Sequence, residues 1–113
     1  MLAVAAVSFA APVLAQSSAN RTAYAASLKC FVANGNAAGQ RRDVGDAAGV
    51  RRYEAQATTA WQTSIRLGRQ LSYSDAQMQA DRARALDQEL PRMFRDEAYF
   101  RETVATCRGL GLM

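Results

Sequence analysis

The fold is decided by residues 74–107, which read SDAQMQADRARALDQELPRMFRDEAYFRETVATC. Ser74, followed three residues later by Gln77, has the spacing of a capping box, in which the serine hydroxyl accepts a hydrogen bond from the N3 amide. Tyr73 is placed to pack on Met78 as a hydrophobic staple. The stretch therefore predicts that a helix begins at Ser74.

Apolar residues recur at intervals of three and four along this stretch, as they do on one face of a helix. They are Ala83, Leu86, Leu90, Met93, Phe100, Val104 and Cys107. Pro91 interrupts them, and because proline lacks an amide hydrogen it either kinks one long helix or begins a second one. We expect a break or sharp kink at Leu90–Pro91, and an end of the last helix at Gly109.

Two more helices are predicted before residue 74. The first has an apolar face made of Tyr24, Leu28 and Phe31. It is expected to stop at Asn34–Gly35, because both residues tolerate the left-handed conformation of helix ends. Residues 35–49 hold four of the seven glycines and are expected to form a loop. The second helix is expected to start near Asp46, a good N-cap, with an apolar face made of Val50, Tyr53, Ala57, Trp61 and Ile65.

The N-terminal residues indicate export. Residues 2–15 are almost entirely apolar and are followed by a polar stretch, as in a secretory signal peptide cleaved after Ala15. Fourteen helical residues span roughly 21 Å, which is less than the hydrocarbon layer of a membrane, so no stable membrane insertion is expected after processing. Cleavage after Ala10 or Ala19 and a buried N-terminal helix are the alternatives. The positive residues that usually precede the apolar stretch are missing.

The two cysteines, Cys30 and Cys107, are the only pair that the chain offers. In an oxidising compartment, such as the bacterial periplasm or the extracellular medium, we expect them to form a disulfide. Their spacing does not match the C-x-x-C motif of redox-active pairs, so we expect a structural role. The bond would place the last helix beside the end of the first.

These patterns predict an all-α fold, because no alternation of apolar and polar residues is long enough for strands. We expect a signal peptide at residues 1–15, followed by a single helical domain at residues 16–113. The domain is expected to be a small antiparallel bundle of three to four helices, stapled by one disulfide.

The composition excludes several kinds of active site. The chain has no histidine, which removes Ser-His-Asp and Cys-His catalysis and the commonest metal and haem ligand. Most carboxylates of the last third have an arginine three or four residues away, so no pair looks suited to acid–base catalysis. We therefore expect a protein that is not an enzyme, with no catalytic residues, no metal and no cofactor.

Two arginines lie within the glycine-rich segment, and two more follow directly after it. They are Arg41, Arg42, Arg51 and Arg52. Guanidinium groups hold phosphate and carboxylate oxygens with two parallel hydrogen bonds, so this cluster is the candidate site for an anionic envelope component or an acidic protein. The formal net charge of +4 rests on 13 arginines and one lysine, a bias typical of a GC-rich genome, and we expect no nucleic-acid partner.

Two functions are compatible with these features. The first is a non-enzymatic binding or accessory protein of the bacterial envelope. In size and cysteine usage, although in no motif, the chain also resembles the small periplasmic acid-stress chaperones of Gram-negative bacteria. That resemblance implies the alternative, a chaperone that loosens its bundle and exposes apolar side chains to unfolded proteins. The side chains in question are Trp61, Met78, Met93, Phe94 and Phe100.

Overall fold

The computed structural model describes the backbone of residues 2–113 and the side chains of residues 15–113. In that range it contains no strand and four helices: α1 (Leu2–Asp43), α2 (Ala47–Gln70), α3 (Asp75–Arg95) and α4 (Glu97–Gly109). The predicted all-α class is confirmed, as is the single disulfide. Apart from Ala15, the side chains of the predicted leader, residues 1–15, lie outside the described residues. None of the helices described combines the length and the apolar character that a membrane crossing requires.

Side-chain caps begin the last three helices. Asp46, Ser74 and Asp96 each accept a hydrogen bond from the backbone amide three residues later, at 2.9, 3.1 and 3.1 Å. Each cap satisfies an amide that would otherwise lack a partner at the helix start. The predicted starts near Asp46 and at Ser74 are confirmed. At the other end of α4, which stops at Gly109, the residue with left-handed backbone is Gly111 (φ 72°).

The first helix does not stop at Asn34–Gly35, and residues 35–43 are helical where a loop was predicted. The reason is tertiary. Asn34 is fully buried, and its amide group donates to the carbonyl oxygens of Cys30 and Leu112, both at 2.8 Å. These bonds tie the middle of α1 to the C-terminal segment. Glycine within a helix costs only about 1 kcal/mol relative to alanine, so the buried face outweighs it.

Of the predicted break or sharp kink at Leu90–Pro91, the break is wrong, since Pro91 lies inside α3. The proline leaves the carbonyl of Asp87 without its helical donor, but both residues are exposed, so water can bond to that carbonyl. The chain breaks instead at Asp96, whose backbone is extended (φ −122°, ψ 95°) and whose side chain caps α4.

Small residues line the contact between α1 and α2, which form a helical hairpin. The hydroxyl groups of Ser27 and Ser64 lie 2.7 Å apart and are fully buried. Ala60 and Gly68, on the same side of α2, are buried as well. The larger residues of the predicted α2 face flank this line and are half-buried: Val50, Tyr53, Trp61 and Ile65. The predicted face therefore lies on the correct side of α2. Its most buried line, however, consists of small residues such as Ala60, Ser64 and Gly68 and not of the large ones.

The face that α3 turns to the core differs from the predicted one. Met78 and Met93 are only 2% exposed, whereas Leu86 and Leu90 are more than a third exposed and Phe94 is 81% exposed. Of the partly buried positions between the two methionines, only Ala85 is apolar, and the others are polar or charged. One of them, Arg82, places its guanidinium carbon 4.9 and 5.1 Å from the ring centroids of Phe31 and Trp61.

Two apolar clusters make up the core. One surrounds Met78, with Tyr24 and Leu28 of α1. The other surrounds the disulfide and joins α1 and α4 through Val32 and Phe100. The second cluster holds α4 against α1, and this contact positions the site described next.

Candidate functional site

The four arginines predicted to form one cationic surface are divided between two pockets. Arg41 and Arg52 line a pocket of about 430 Å³ between α1, α2 and α4. Arg42 and Arg51 line a separate one of about 350 Å³ at the α1–α2 turn. Arg42 also pairs with Glu54, with Nη2 and Oε1 2.9 Å apart. The four predicted arginines therefore form two separate pairs, one in each pocket.

The α4 helix adds two arginines that the sequence did not indicate. Arg101 and Arg108 line the 430 Å³ pocket opposite Arg41 and Arg52. We call this cavity, which is lined by four arginines, the arginine pocket. For Arg108, the predicted disulfide gives an indication. This arginine directly follows Cys107, so the bond to Cys30 places it beside the first helix.

Two of these four arginines are paired with carboxylates at the rim. Arg41 lies 3.8 Å from Asp46, and Arg101 lies 3.3 Å from Glu97. Among the described residues, no carboxylate comes within 4.0 Å of Arg52 or Arg108. Exposed ion pairs hold their partners weakly, so all four guanidinium groups are open to an incoming anion.

Apolar side chains form the rest of the pocket wall. They are Ala37, Phe100, Val104, Ala105 and Met113. Phe100 is 9% exposed and belongs to the cluster around the disulfide. The pocket therefore combines a positive rim with an apolar floor, and its volume is in the range of small-ligand sites.

Among the described residues that line the arginine pocket, Tyr53 has the only titratable side chain other than the arginines. The pKa of its phenol is lowered by hydrogen bonding with Arg52 and, to a smaller extent, with Arg108, although burial acts in the opposite direction. The guanidinium carbon of Arg52 lies 4.8 Å from the ring centroid. The lowered pKa reports a positive potential at the phenol oxygen.

We expect Arg108→Ala to raise the pKa of Tyr53 toward the ordinary value of about 10, because one of the cations that favour the phenolate is removed. The wild-type folded state favours the phenolate, so ionisation of Tyr53 adds stability as the pH rises above its folded pKa and none below. Titration of the tyrosine ¹³Cζ resonances measures the pKa, and urea unfolding at pH values below and above it measures the change in stability. The internal control is Tyr24, whose pKa is raised by burial and by the hydrogen bond to Asp81. An unchanged Tyr53 midpoint in the variant would contradict this reading.

The disulfide belongs to the same apolar cluster as Phe100 and Ala37 of the pocket wall. Cys30 and Cys107 are joined with an S–S distance of 2.10 Å, and both are fully buried. A buried bond of this kind fits the predicted structural role. Since it anchors α4 on α1, it also fixes the separation between Arg108 and the arginines of α1 and α2.

Among the described residues, no group of three or more Cys, Asp and Glu side chains is arranged to hold a metal ion. Comparison of the chain with protein-family models, curated proteins and solved structures gives no match. The geometry of the pocket is therefore the basis for a functional assignment.

Proposed function

We propose that this protein is a non-enzymatic binding protein of the bacterial envelope that holds an anionic envelope component in the arginine pocket. The observation that carries the proposal is the convergence of four arginines from three helices on one pocket, two of them without a described carboxylate partner. Positive charge of this density in an open cleft attracts anions over distances of several ångströms.

The geometry narrows the chemistry of the ligand. Arg52 and Arg108 suit a phosphate or carboxylate group, because the guanidinium fork can hold two oxygens at once. Phe100 and Val104 offer apolar surface directly beside them. The ligand class is therefore an organic anion with an apolar portion, such as an acyl or alkyl phosphate.

Binding rather than catalysis agrees with the groups present. Arginine stays protonated at all physiological pH values and cannot act as a general base. The only other titratable side chain in the pocket is the Tyr53 phenol. These groups can hold and orient an anion, but they offer little for transferring protons to it.

The envelope location is part of the proposal and is supported by two features. The buried disulfide between Cys30 and Cys107 is typical of proteins that fold in an oxidising compartment. The apolar residues 2–15 have the composition and length of a secretory signal peptide. In that location, anionic lipids and glycolipids are abundant potential ligands.

Calorimetric titration with octyl phosphate tests the proposal. We expect saturable binding that weakens at least about tenfold in Arg52→Ala/Arg108→Ala, since charge-assisted hydrogen bonds contribute about 1.5–3 kcal/mol each and 1.4 kcal/mol is tenfold. The matched control is Arg66→Ala/Arg69→Ala, which removes two exposed arginines of α2 outside the pocket. Inorganic phosphate and neutral octyl glucoside separate the contributions of charge and apolar surface. Equal binding by the two double variants would refute the proposal.

The chaperone alternative has one observation in its favour. Met78 and Met93, flexible side chains suited to varied partners, are buried in the core, and only loosening of the bundle would expose them. Such a protein should lose fixed tertiary packing near pH 3 while keeping its disulfide, and should then suppress aggregation of an unfolded client. If Arg52→Ala/Arg108→Ala suppresses aggregation as well as wild type but neither binds octyl phosphate, the alternative replaces our proposal.

A further inference from the structure

The outer face of α3 carries an apolar stripe along its whole length. The stripe consists of Ala76, Ala80, Ala83, Leu86, Leu90 and Phe94. Their intervals of three and four residues place them on one side of the helix, over about 27 Å. All six are exposed, including Phe94 at 81%. Leu90 and Phe94 also line an open cleft of about 470 Å³ with Gly35 and Gly39 of α1.

This stripe is distinct from the face that holds α3 in the bundle. The buried side is marked by Met78 and Met93, and Ala85 lies between them, partly buried. Helical geometry puts the stripe about a quarter to a third of a turn away from that side. A second apolar side that is exposed to solvent is typical of a helix that binds a partner.

The order of sizes along the stripe indicates what covers it. The three residues of its first half are alanines, and the three of its second half are large. A second copy of α3 running in the opposite direction, with its centre near Ala85, places Phe94, Leu90 and Leu86 opposite the partner copy's alanines. Large side chains opposite small ones allow two helices to interdigitate closely.

The charges beside the stripe agree with the same register. Arg84 and Asp87 lie on one flank of the stripe, three residues apart, and sit on either side of Ala85. In the antiparallel arrangement, Arg84 of each copy faces Asp87 of the other, and this pair occurs twice. In a parallel pair, the flank that carries Arg84 and Asp87 would lie on opposite sides of the seam in the two copies, so this charge pair would not form.

We infer that α3 is the interface of a homodimer, in which the stripes of two copies of this chain pack antiparallel about Ala85. Size complementarity and charge complementarity select the same register independently. The arginine pocket lies between α1, α2 and α4 and does not include α3, so the dimer leaves both pockets open.

Sedimentation velocity over about 1 μM to 1 mM tests the inference. We expect the mass to rise from that of one chain toward that of two. Leu90→Asp should shift the midpoint to at least about tenfold higher concentration, because it buries a charge in the seam. Leu110→Asp is the matched control, since Leu110 is exposed outside α3 and should leave the midpoint unchanged. A monomer throughout the range, or equal midpoints for both variants, would overturn the inference.

Charge exchange tests the register. Asp87→Arg places two arginines against each other on both sides of the centre of the seam and should weaken the dimer. Arg84→Glu/Asp87→Arg exchanges the two signs and should restore it, although the Arg84 pair with Asp81 within the monomer is lost. The antiparallel arrangement would be overturned if Asp87→Arg left the dimer unchanged. It would also be overturned if the double variant did not restore the dimer. Circular dichroism of each variant confirms that the fold is retained.

Discussion

Cys30→Ala/Cys107→Ala is expected to lower the free energy of unfolding by about 4–5 kcal/mol. The disulfide spans a sequence separation of 77 residues, and the entropy that it removes from the unfolded chain grows with the length of the closed loop. A small domain has only about 5–15 kcal/mol of net stability, so the loss is a large part of the total. Urea unfolding followed by circular dichroism measures it.

Chemical reduction of the wild-type protein supplies the control, because it opens the same loop without changing the side chains in the core. Reduced wild type and the double variant should unfold at similar urea concentrations. A loss below about 1 kcal/mol in both would mean that helix packing, rather than the disulfide, holds α4 on α1. In that case, the disulfide could not be what positions Arg108 in the arginine pocket.

Gly68→Val is expected to cost about 2–3 kcal/mol, the second largest effect. A Cβ atom at Gly68 would clash with the sulfur of Met78 and lie 3.2 Å from a ring carbon of Tyr24. Neither neighbour can move freely, since Met78 is 2% exposed and Tyr24 donates a hydrogen bond to Asp81 at 2.8 Å. Overpacking of this kind forces the surrounding side chains out of their preferred rotamers.

Gly39→Val is the matched control, because Gly39 is also helical but has no neighbouring atom within 4 Å of the position of a Cβ. This variant should be neutral or should gain a few tenths of a kcal/mol from helix propensity. Thermal unfolding of the two variants side by side gives the comparison. Equal destabilisation at the two positions would contradict the close approach of α2 to Met78 and Tyr24.

Features that depend on local chemistry could be predicted from the sequence. The helix starts at Asp46 and Ser74 follow from side chains that bond to an amide three residues away, whatever the rest of the chain does. The pairing of Cys30 with Cys107 follows because no other pair exists. Both predictions are confirmed for this reason.

Features that depend on tertiary contacts could not be predicted in this way. The passage of α1 through Gly35 rests on the bonds of Asn34 to two carbonyl groups, one of them 78 residues away. Periodicity identified an apolar stripe on α3 but did not indicate that Arg82, held between two aromatic rings, would take the inner side. Leu86 and Leu90 of that stripe therefore lie on the exposed side of α3.

The candidate site shows the same division. The sequence indicates Arg41 and Arg52 because they lie in or just after the glycine-rich segment. Arg101 and Arg108 belong to a helix about 50 residues further on. Only the fold brings them together. A cluster of like charges assembled from distant segments carries no signal in local spacing.

The central claim is that the chain is exported and then closed by its two cysteines, so that α4 completes the arginine pocket. Its most direct test is the intact mass, under non-reducing conditions, of the protein recovered from the cell envelope. We predict a chain that begins at Gln16, is two hydrogens lighter than its reduced form and is inert to alkylation. A chain that retains residues 1–15 and takes up two alkyl groups without reduction would contradict it.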